Sequence, residues 1–361
     1  MSDEAQEADR LEGAPHPRET LRLYGQQAAQ AQALAALHGR PHHAWLIAGP
    51  KGVGKATLAW AVARHVLAGD PAAGLEMDRE HPVFRRAAAL TEPRLFLARR
   101  PWDDKARRLK TAITVDEIRA LKGFFQLSAV GGGWRVAIVD AADEMNPAAA
   151  NALLKTLEEP PAQALILMVC HQPARLLPTI RSRCRVLRCE ALGAADLAAA
   201  LAAAGSRSSA DPEALAALSG GSAGAAMQLA AIDGVALYDE ILALAAEGCD
   251  RRRLAALAES CAGRGAEPRY DATLRLTQLA LARLARAAAG AAVRPVSAAE
   301  TQAFGQLAGA PVQARIWAEL APRLAARADH ARSVHLDPAQ VILDTFLQID
   351  AAAAEARVPA A

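Results

Sequence analysis

Aromatic residues are scarce in this chain, at 4% of 361 residues, and the 52% hydrophobic share is carried largely by alanine. Small side chains of that kind favour helices with narrow contact faces over thick β cores. Cysteine is scarce too: residues 170, 184, 189, 249 and 261 form no C-x-x-C pair, and an odd number argues against a disulfide framework. No window holds eighteen apolar residues free of charge, and the alanine runs near 191–204 are too weakly hydrophobic for a membrane span. An excess of either charge is also missing. The 41 basic and 39 acidic residues leave a net +2, so bulk electrostatics call for no nucleic-acid coat and partners must be argued locally. Residues 1–19 are polar and acidic with no apolar core, which predicts a disordered tail and neither a signal peptide nor an anchor. Together these absences predict a soluble, reduced, cytoplasmic protein of two or three domains.

What is present is concentrated first at Gly49-Pro50-Lys51-Gly52-Val53-Gly54-Lys55-Ala56. The run follows an apolar strand at 43–48 and precedes a helix-friendly stretch at 57–67, the context a phosphate-binding loop requires. Gly49, Gly52 and Gly54 let backbone N–H groups of residues 52–57 wrap a polyphosphate, and Lys55 would reach its terminal phosphates. The hydroxyl that should follow the lysine and hold Mg²⁺ is absent, because position 56 is alanine. Thr57 is one residue late, about 100° around the helix, and cannot simply replace it. Nucleotide binding, ATP above all, is therefore left open, as a degenerate site.

Asp140 ends a second apolar strand, 134–140, where a magnesium-organising carboxylate would stand. The next residue, which would activate water in a hydrolytic machine, is Ala141. Asp143 and Glu144 come too late and read as a surface acidic turn. Asn146-Pro147 opens a helix by cap and first-turn proline, running to 159 before Pro160-Pro161. Further strands are expected at 95–97, 164–170 and 186–189, with helices at 26–37 and 113–127 and a loop at 131–133. Strands alternating with helices imply a mainly parallel sheet covered on both faces. Arg183, in Ser182-Arg183-Cys184, has the fixed charge and forked donors suited to phosphoryl transfer, although Arg181, Arg185 and Arg188 also suit a decorated exposed strand. The basic residues at 85–110 read as a solvated irregular insertion. Cys184, Cys189 and His171 match no structural zinc spacing, so no metal site is expected.

After residue 190 the strand signal ends. Three short helices broken at 205–210 and 219–222 are followed by longer amphipathic ones, including 269–289, 312–328 and 338–354, with Pro322 kinking or splitting the second. The expected division is a tail at 1–19, a P-loop domain at 20–190, a helical lid at 191–234 and a helical collar at 235–361.

The run Asn146-Pro147-Ala148-Ala149-Ala150-Asn151-Ala152-Leu153-Leu154-Lys155-Thr156-Leu157-Glu158-Glu159-Pro160-Pro161 resembles, almost position for position, the clamp-loader AAA+ family of bacterial DNA polymerase III. The run from Leu176 to Cys184 resembles that family's Ser-Arg-Cys finger motif, and Gly123-Phe124-Phe125 and Gly131-Gly132-Gly133-Trp134-Arg135-Val136 fit as well. The resemblance implies an AAA+ fold with lid and collar. It also implies an arginine finger at Arg183, acting in trans on ATP bound by a neighbouring subunit. The departures select a branch. Position 56 lacks the hydroxyl, position 141 lacks the glutamate, residues 65–112 lack the cysteines of a zinc module, and Gly221-Ser222-Ala223-Gly224-Ala225-Ala226-Met227 lacks a lid arginine. These resemble the family's delta prime branch, a stator that does not hydrolyse ATP itself. The implied partners are gamma/tau and delta subunits, with the sliding clamp and primed DNA reached through the complex. The competing readings are a gamma/tau-like ATPase and a P-loop nucleotide kinase.

Overall fold

The computed structural model describes residues 7–11, 14–38, 41–70, 74–126, 132–206, 208–248 and 250–357. Gly131 and Cys249 lie outside them. Chain packing divides the protein into two units, residues 1–205 with 221–224 and residues 206–220 with 225–361.

Among its described residues the first unit has seven strands: β1 (Ala44–Ala48), β2 (Leu95–Arg99), β3 (Trp102–Asp103), β4 (Arg108–Leu109), β5 (Arg135–Asp140), β6 (Ala164–Cys170) and β7 (Arg185–Arg188). Five form one parallel sheet in the order β2-β5-β6-β1-β7, while β3 and β4 make a small antiparallel hairpin. Period-2 alternation sends each strand's side chains to opposite faces. From β6, Leu165, Leu167 and Val169 join one core with helices α1 (Gln27–Leu37), α2 (Lys55–Ala68) and α3 (Pro82–Ala88). Its other residues, Ala164, Ile166, Met168 and Cys170, join a second core with α4 (Val115–Gln126), α5 (Pro147–Glu158) and the short α6 (Pro178–Arg181). Burial on both faces explains why β1, β5 and β6 read as unbroken apolar runs. α5 starts as its sequence dictates: the Asn146 side chain accepts from the Ala149 N–H at 2.8 Å, with Pro147 at the first helical position. α7 (Ala194–Ala203) completes the unit.

The segment 7–11 and 14–19 departs from the disordered tail expected there. His16 is buried, Pro17–Glu19 forms a 3₁₀ turn, and the buried Arg64 of α2 donates to the carbonyls of Arg18 and Thr20 at 2.9 and 3.0 Å. The polar composition of the segment is satisfied by charge pairing with the domain, a term that low hydrophobicity alone does not reveal.

The second unit is helical. α8 (Pro212–Ser219) and most of α9 (Ala223–Ala231) are followed by α10 (Gly234–Glu247), α11 (Arg251–Ser260), α12 (Glu267–Ala288), α13 (Ala298–Leu307), α14 (Pro311–Ser333) and α15 (Pro338–Arg357). α12 packs along α14, α11 along α15, and α10 along α13. α14 runs unbroken through Pro322, so the expected split does not occur. The backbone hydrogen bond that proline removes is offset by packing on either side of it. Trp317, Leu320 and Leu324 are buried, and the Trp317 indole donates to the Leu307 carbonyl at 2.9 Å. One buried polar cluster locks this unit: Glu300, fully buried, accepts from Tyr238 at 2.6 Å and from Arg283 at 2.7 and 2.8 Å.

Candidate nucleotide loop and arginine edge

The glycine loop leaves the C-terminal end of β1 and ends where α2 begins at Lys55. Its conformation needs glycine for steric reasons at two points. A Cβ on Gly49 would stand 2.1 Å from the Cys189 carbonyl oxygen, because the loop passes between the ends of β6 and β7. Gly52 has a φ of +79°, and a Cβ there would stand 2.3 Å from Ser222 Oγ; its carbonyl accepts the Gly224 N–H at 3.2 Å. The 221–224 turn thus lies against one side of Gly52, which itself remains exposed.

Lys55 is buried, and its ammonium donates to the Pro50 carbonyl of its own loop. Burial pushes its pKa down to about 8, partly opposed by the charge of Asp140. Ala56 and Thr57 stand half-buried in the first turn of α2. Asp140 is buried at the end of β5, and burial, reinforced by the negative charge of Asp9, pushes its carboxyl up to about 7 despite the opposing charge of Lys55. Ala141 follows it, also buried and without a functional group.

Asp143 is not the surface acid its sequence position suggests. A 3₁₀ turn over Ala142–Glu144 folds it back under the end of β6, where it is buried and accepts from the N–H groups of His171 and Gln172 at 2.9 and 3.0 Å. Burial alone would raise its pKa; those hydrogen bonds outweigh it and hold the carboxylate below its ordinary range. Glu144 pairs with Arg100 at 2.7 Å. His171, which sequence spacing brings up only as a metal ligand to be rejected, belongs to this site. Its pKa is pushed down to about 4 by burial and by the charge of Lys55, and its Nδ1 is buried without a hydrogen-bond partner. The available signal was its place immediately after β6, the strand beside β1. Among the described residues no group of three or more His, Cys, Asp or Glu is placed to hold a metal ion.

This arrangement does not fit a magnesium triphosphate. The first-turn hydroxyl is missing, the lysine is engaged by its own loop, and burial raises the strand-end carboxyl to about 7.

Arg183 stands apart from this group, just beyond α6 and before the edge strand β7. Its guanidinium donates to the Thr179 carbonyl at 3.0 Å and pairs with Glu158 of α5 at 2.9 Å. The two side chains are 36% and 50% exposed, so this is a surface pair, of a kind worth about 0–1 kcal/mol. Arg181, Arg185, Val186 and Arg188 are exposed around it. The basic stretch at 85–110 is not an irregular insertion: α3, β2 and the hairpin order it, and several of its charges turn inward. Arg86 and Arg94 hold the buried Glu92 at 2.8 and 3.0 Å, and Arg99 is paired with Glu7 and Asp9.

Residues 26–193 match the family model described as DNA polymerase III, delta subunit. The DNA polymerase III subunit delta' of Pseudomonas aeruginosa is 41% identical over 153 residues, 42% of this chain and 44% of that protein. Its Escherichia coli counterpart is 36% identical over 148 residues, 41% and 42% of the two chains. Over this region the chain is similar to the delta prime subunits of the bacterial clamp loader. The match spans less than half the length of either relative. The chain is also similar to subunit gamma/tau: the Mycobacterium tuberculosis protein of that name is 32% identical over 171 residues, 46% of this chain and 28% of that one. Among solved structures, a RuvB Holliday junction branch migration motor of Thermotoga maritima is similar at a TM-score of 0.39 and 18% identity, covering 60% of this chain and 64% of that one. A parallel sheet with a glycine loop after its first strand, followed by helices, is the α/β architecture with a helical C-terminal part expected from the sequence.

Proposed function

We propose that this protein is a stator of the bacterial clamp loader, helping place the sliding clamp on primed DNA while breaking down no ATP of its own. In this reading it contributes Arg183 to ATP held by an adjacent gamma/tau subunit. Three domains carry it: the P-loop domain at 20–190, a lid at 191–234, and a collar at 235–361 whose alanine- and leucine-faced helices suit packing between subunits. The complex works in the cytoplasm with gamma/tau and delta as partners; among the described residues no helix is long and apolar enough to cross a membrane.

One observation carries the proposal: the group still available for phosphoryl transfer is the one that would serve a neighbour. Arg183 is presented at the sheet's edge by α6 and restrained by a weak surface pair, so it can leave Glu158 for a phosphate oxygen at little cost. Forked, permanently charged donors suit the negative charge that develops on the phosphoryl group. The chain's own loop lacks the hydroxyl at 56 and the glutamate at 141. A gamma/tau-like ATPase needs both. A nucleotide kinase would leave the second, helical unit without a purpose. The test is reconstitution with gamma/tau and delta: Arg183→Ala should assemble normally and lose DNA-stimulated ATP turnover. Unchanged turnover would refute the trans role, and brisk hydrolysis by the isolated wild-type chain would favour the ATPase reading.

A further inference from the structure

Both feet of the β3–β4 hairpin are tied to one turn. Before it, Arg100 pairs with Glu144 of the Ala142–Glu144 turn at 2.7 Å. After it, the N–H of the buried Ile113 donates to the Glu144 carbonyl at 2.9 Å, and the Asn146 N–H donates to the Ile113 carbonyl at 3.1 Å. The hairpin is closed by the pairs Trp102–Leu109 and Asp103–Arg108, and the Lys110 N–H donates to the Pro101 carbonyl at 2.9 Å. Asp103 shapes the tip, its side chain accepting the N–H groups of Lys105 and Ala106 at 3.0 Å each. The hairpin is a rooted projection, and its charge is one-sided. Residues 104–108 and Lys110 are exposed. The two arginines that precede it are neutralised, Arg99 by Glu7 and Asp9 and Arg100 by Glu144. Lys105, Arg108 and Lys110 form no ion pair among the described residues; Lys110 and Arg108 act on Asp103 through their charge alone. Arg107 has a φ of +49°, the left-handed region where glycine or asparagine costs least, so turn chemistry does not account for a long cation there.

We propose that this hairpin is a direct contact to the sugar–phosphate backbone of duplex DNA. The proposal rests on the clamp-loader reading and deepens it, because a stator need not touch DNA itself. A duplex carries one negative charge per about 1.7 Å of its axis, so closely spaced cations on one fixed projection can each displace a counterion. The tip, Asp104–Arg108, holds no aromatic side chain, and Trp102 is half-buried at its base, so it offers no platform for stacking unpaired bases. It also exposes no large apolar side chain, which the core of a protein interface would need. What remains is a set of lysines and arginines without groups aimed at base edges. Such a set positions a duplex and does not read its sequence.

The experiment is anisotropy titration of labelled primed DNA with the complex of the full chain, gamma/tau and delta, over a series of salt concentrations. Wild type is compared with Lys105→Gln/Arg108→Gln/Lys110→Gln; Arg107 is left in place because its backbone shapes the tip. The variant should melt and assemble as wild type does and bind DNA about tenfold more weakly at about 0.1 M salt. The slope of log affinity against log salt should become shallower by about 2–3, equally on unrelated duplex sequences. The charge-preserving variant Lys105→Arg/Arg108→Lys/Lys110→Arg should bind as wild type. A control at exposed cations of the second unit, Arg251→Gln/Arg252→Gln/Arg264→Gln, should also bind as wild type. Unchanged affinity and slope in the hairpin variant, with wild type binding DNA, would overturn the hairpin's role and leave the stator reading standing. An equal loss in the control would reduce the effect to net charge and overturn it too. So would weakened binding of the sliding clamp with DNA binding intact, which would give the hairpin a protein partner. A wild-type chain that forms no DNA-binding complex with these subunits would sink the stator reading, and the hairpin's role with it.

Discussion

The glycine loop and the arginine edge belong to one sheet and are built on opposite terms. Around the loop, Lys55 and Asp143 are buried and satisfied internally, Lys55 by Pro50 and Asp143 by the His171 and Gln172 N–H groups, and the half-buried Arg99 of β2 is held by Glu7 and Asp9. At the edge Arg183 is held by one exposed pair and one carbonyl, among exposed neighbours. A buried, internally paired group is costly to redirect, because any new partner must compensate for desolvation and for the contact it replaces. An exposed pair is cheap to break. The difference teaches that retained motif residues need not retain availability. The complete-looking P-loop lysine is buried against its own loop, whereas Arg183 is held at the surface by an exposed pair, as the proposed trans role requires.

Four substitutions break or sharpen this contrast. The largest effect is expected from Arg183→Ala, which should lower ATP turnover of the reconstituted complex by about tenfold or more while leaving the melting temperature of the isolated chain unchanged. A loss of stability with no loss of turnover would move Arg183 to the structural side of the comparison. Next comes Gly49→Ala, which forces a Cβ against the Cys189 carbonyl and should destabilise the chain by about 3 kcal/mol in denaturant melts. A near-neutral result would mean that the loop is more yielding than its contacts suggest.

Asp140→Asn should give a smaller, pH-dependent effect. The folded carboxyl titrates near 7 against an ordinary value of 3.8, so between those values the folded chain keeps a proton that the unfolded chain has lost. Stability attributable to this group is therefore present at low pH, falls as pH rises through that window, and stays low above it. The asparagine variant should melt several degrees above wild type at about pH 8 and together with it at about pH 4. A variant less stable at both would show that the ionised carboxylate is needed by the fold. The smallest effect belongs to Glu158→Gln: breaking the surface pair should change stability by less than about 1 kcal/mol. A larger loss would mean that Arg183 is fixed in place and not free to reach a neighbour's nucleotide.

The sequence made the sheet legible because its central strands are buried on both faces. β6 was readable to the residue, as was the Asn146 cap, where a local side chain decides the helix start. α10, α11 and α13 escaped individual notice because alanine-rich helices differ little in pattern from the segments beside them. What failed at the site were judgements about distance along the chain. Asp143 is three residues past a strand end, which reads as solvent, yet a tight turn returns it beneath β6. The acidic N-terminal stretch reads as a tail because its partner, Arg99, lies 92 residues from Glu7. Pro322 reads as a kink or a split, and the helix is not split there, because local sequence does not show Trp317 and Leu324 packed on either side. The glycine loop, Asp140 and Arg183 were singled out from the sequence, but that Lys55 and Asp140 are buried while Arg183 stands partly exposed is a property of the fold.

The most direct test of that separation is a structure of the assembled clamp loader with a non-hydrolysable ATP analogue in the adjacent gamma/tau subunit. The account predicts the Arg183 guanidinium released from Glu158 and within hydrogen-bond distance of that analogue's terminal phosphate. An Arg183 still paired with Glu158, or turned to solvent while the neighbour's nucleotide is contacted by other groups, would contradict it.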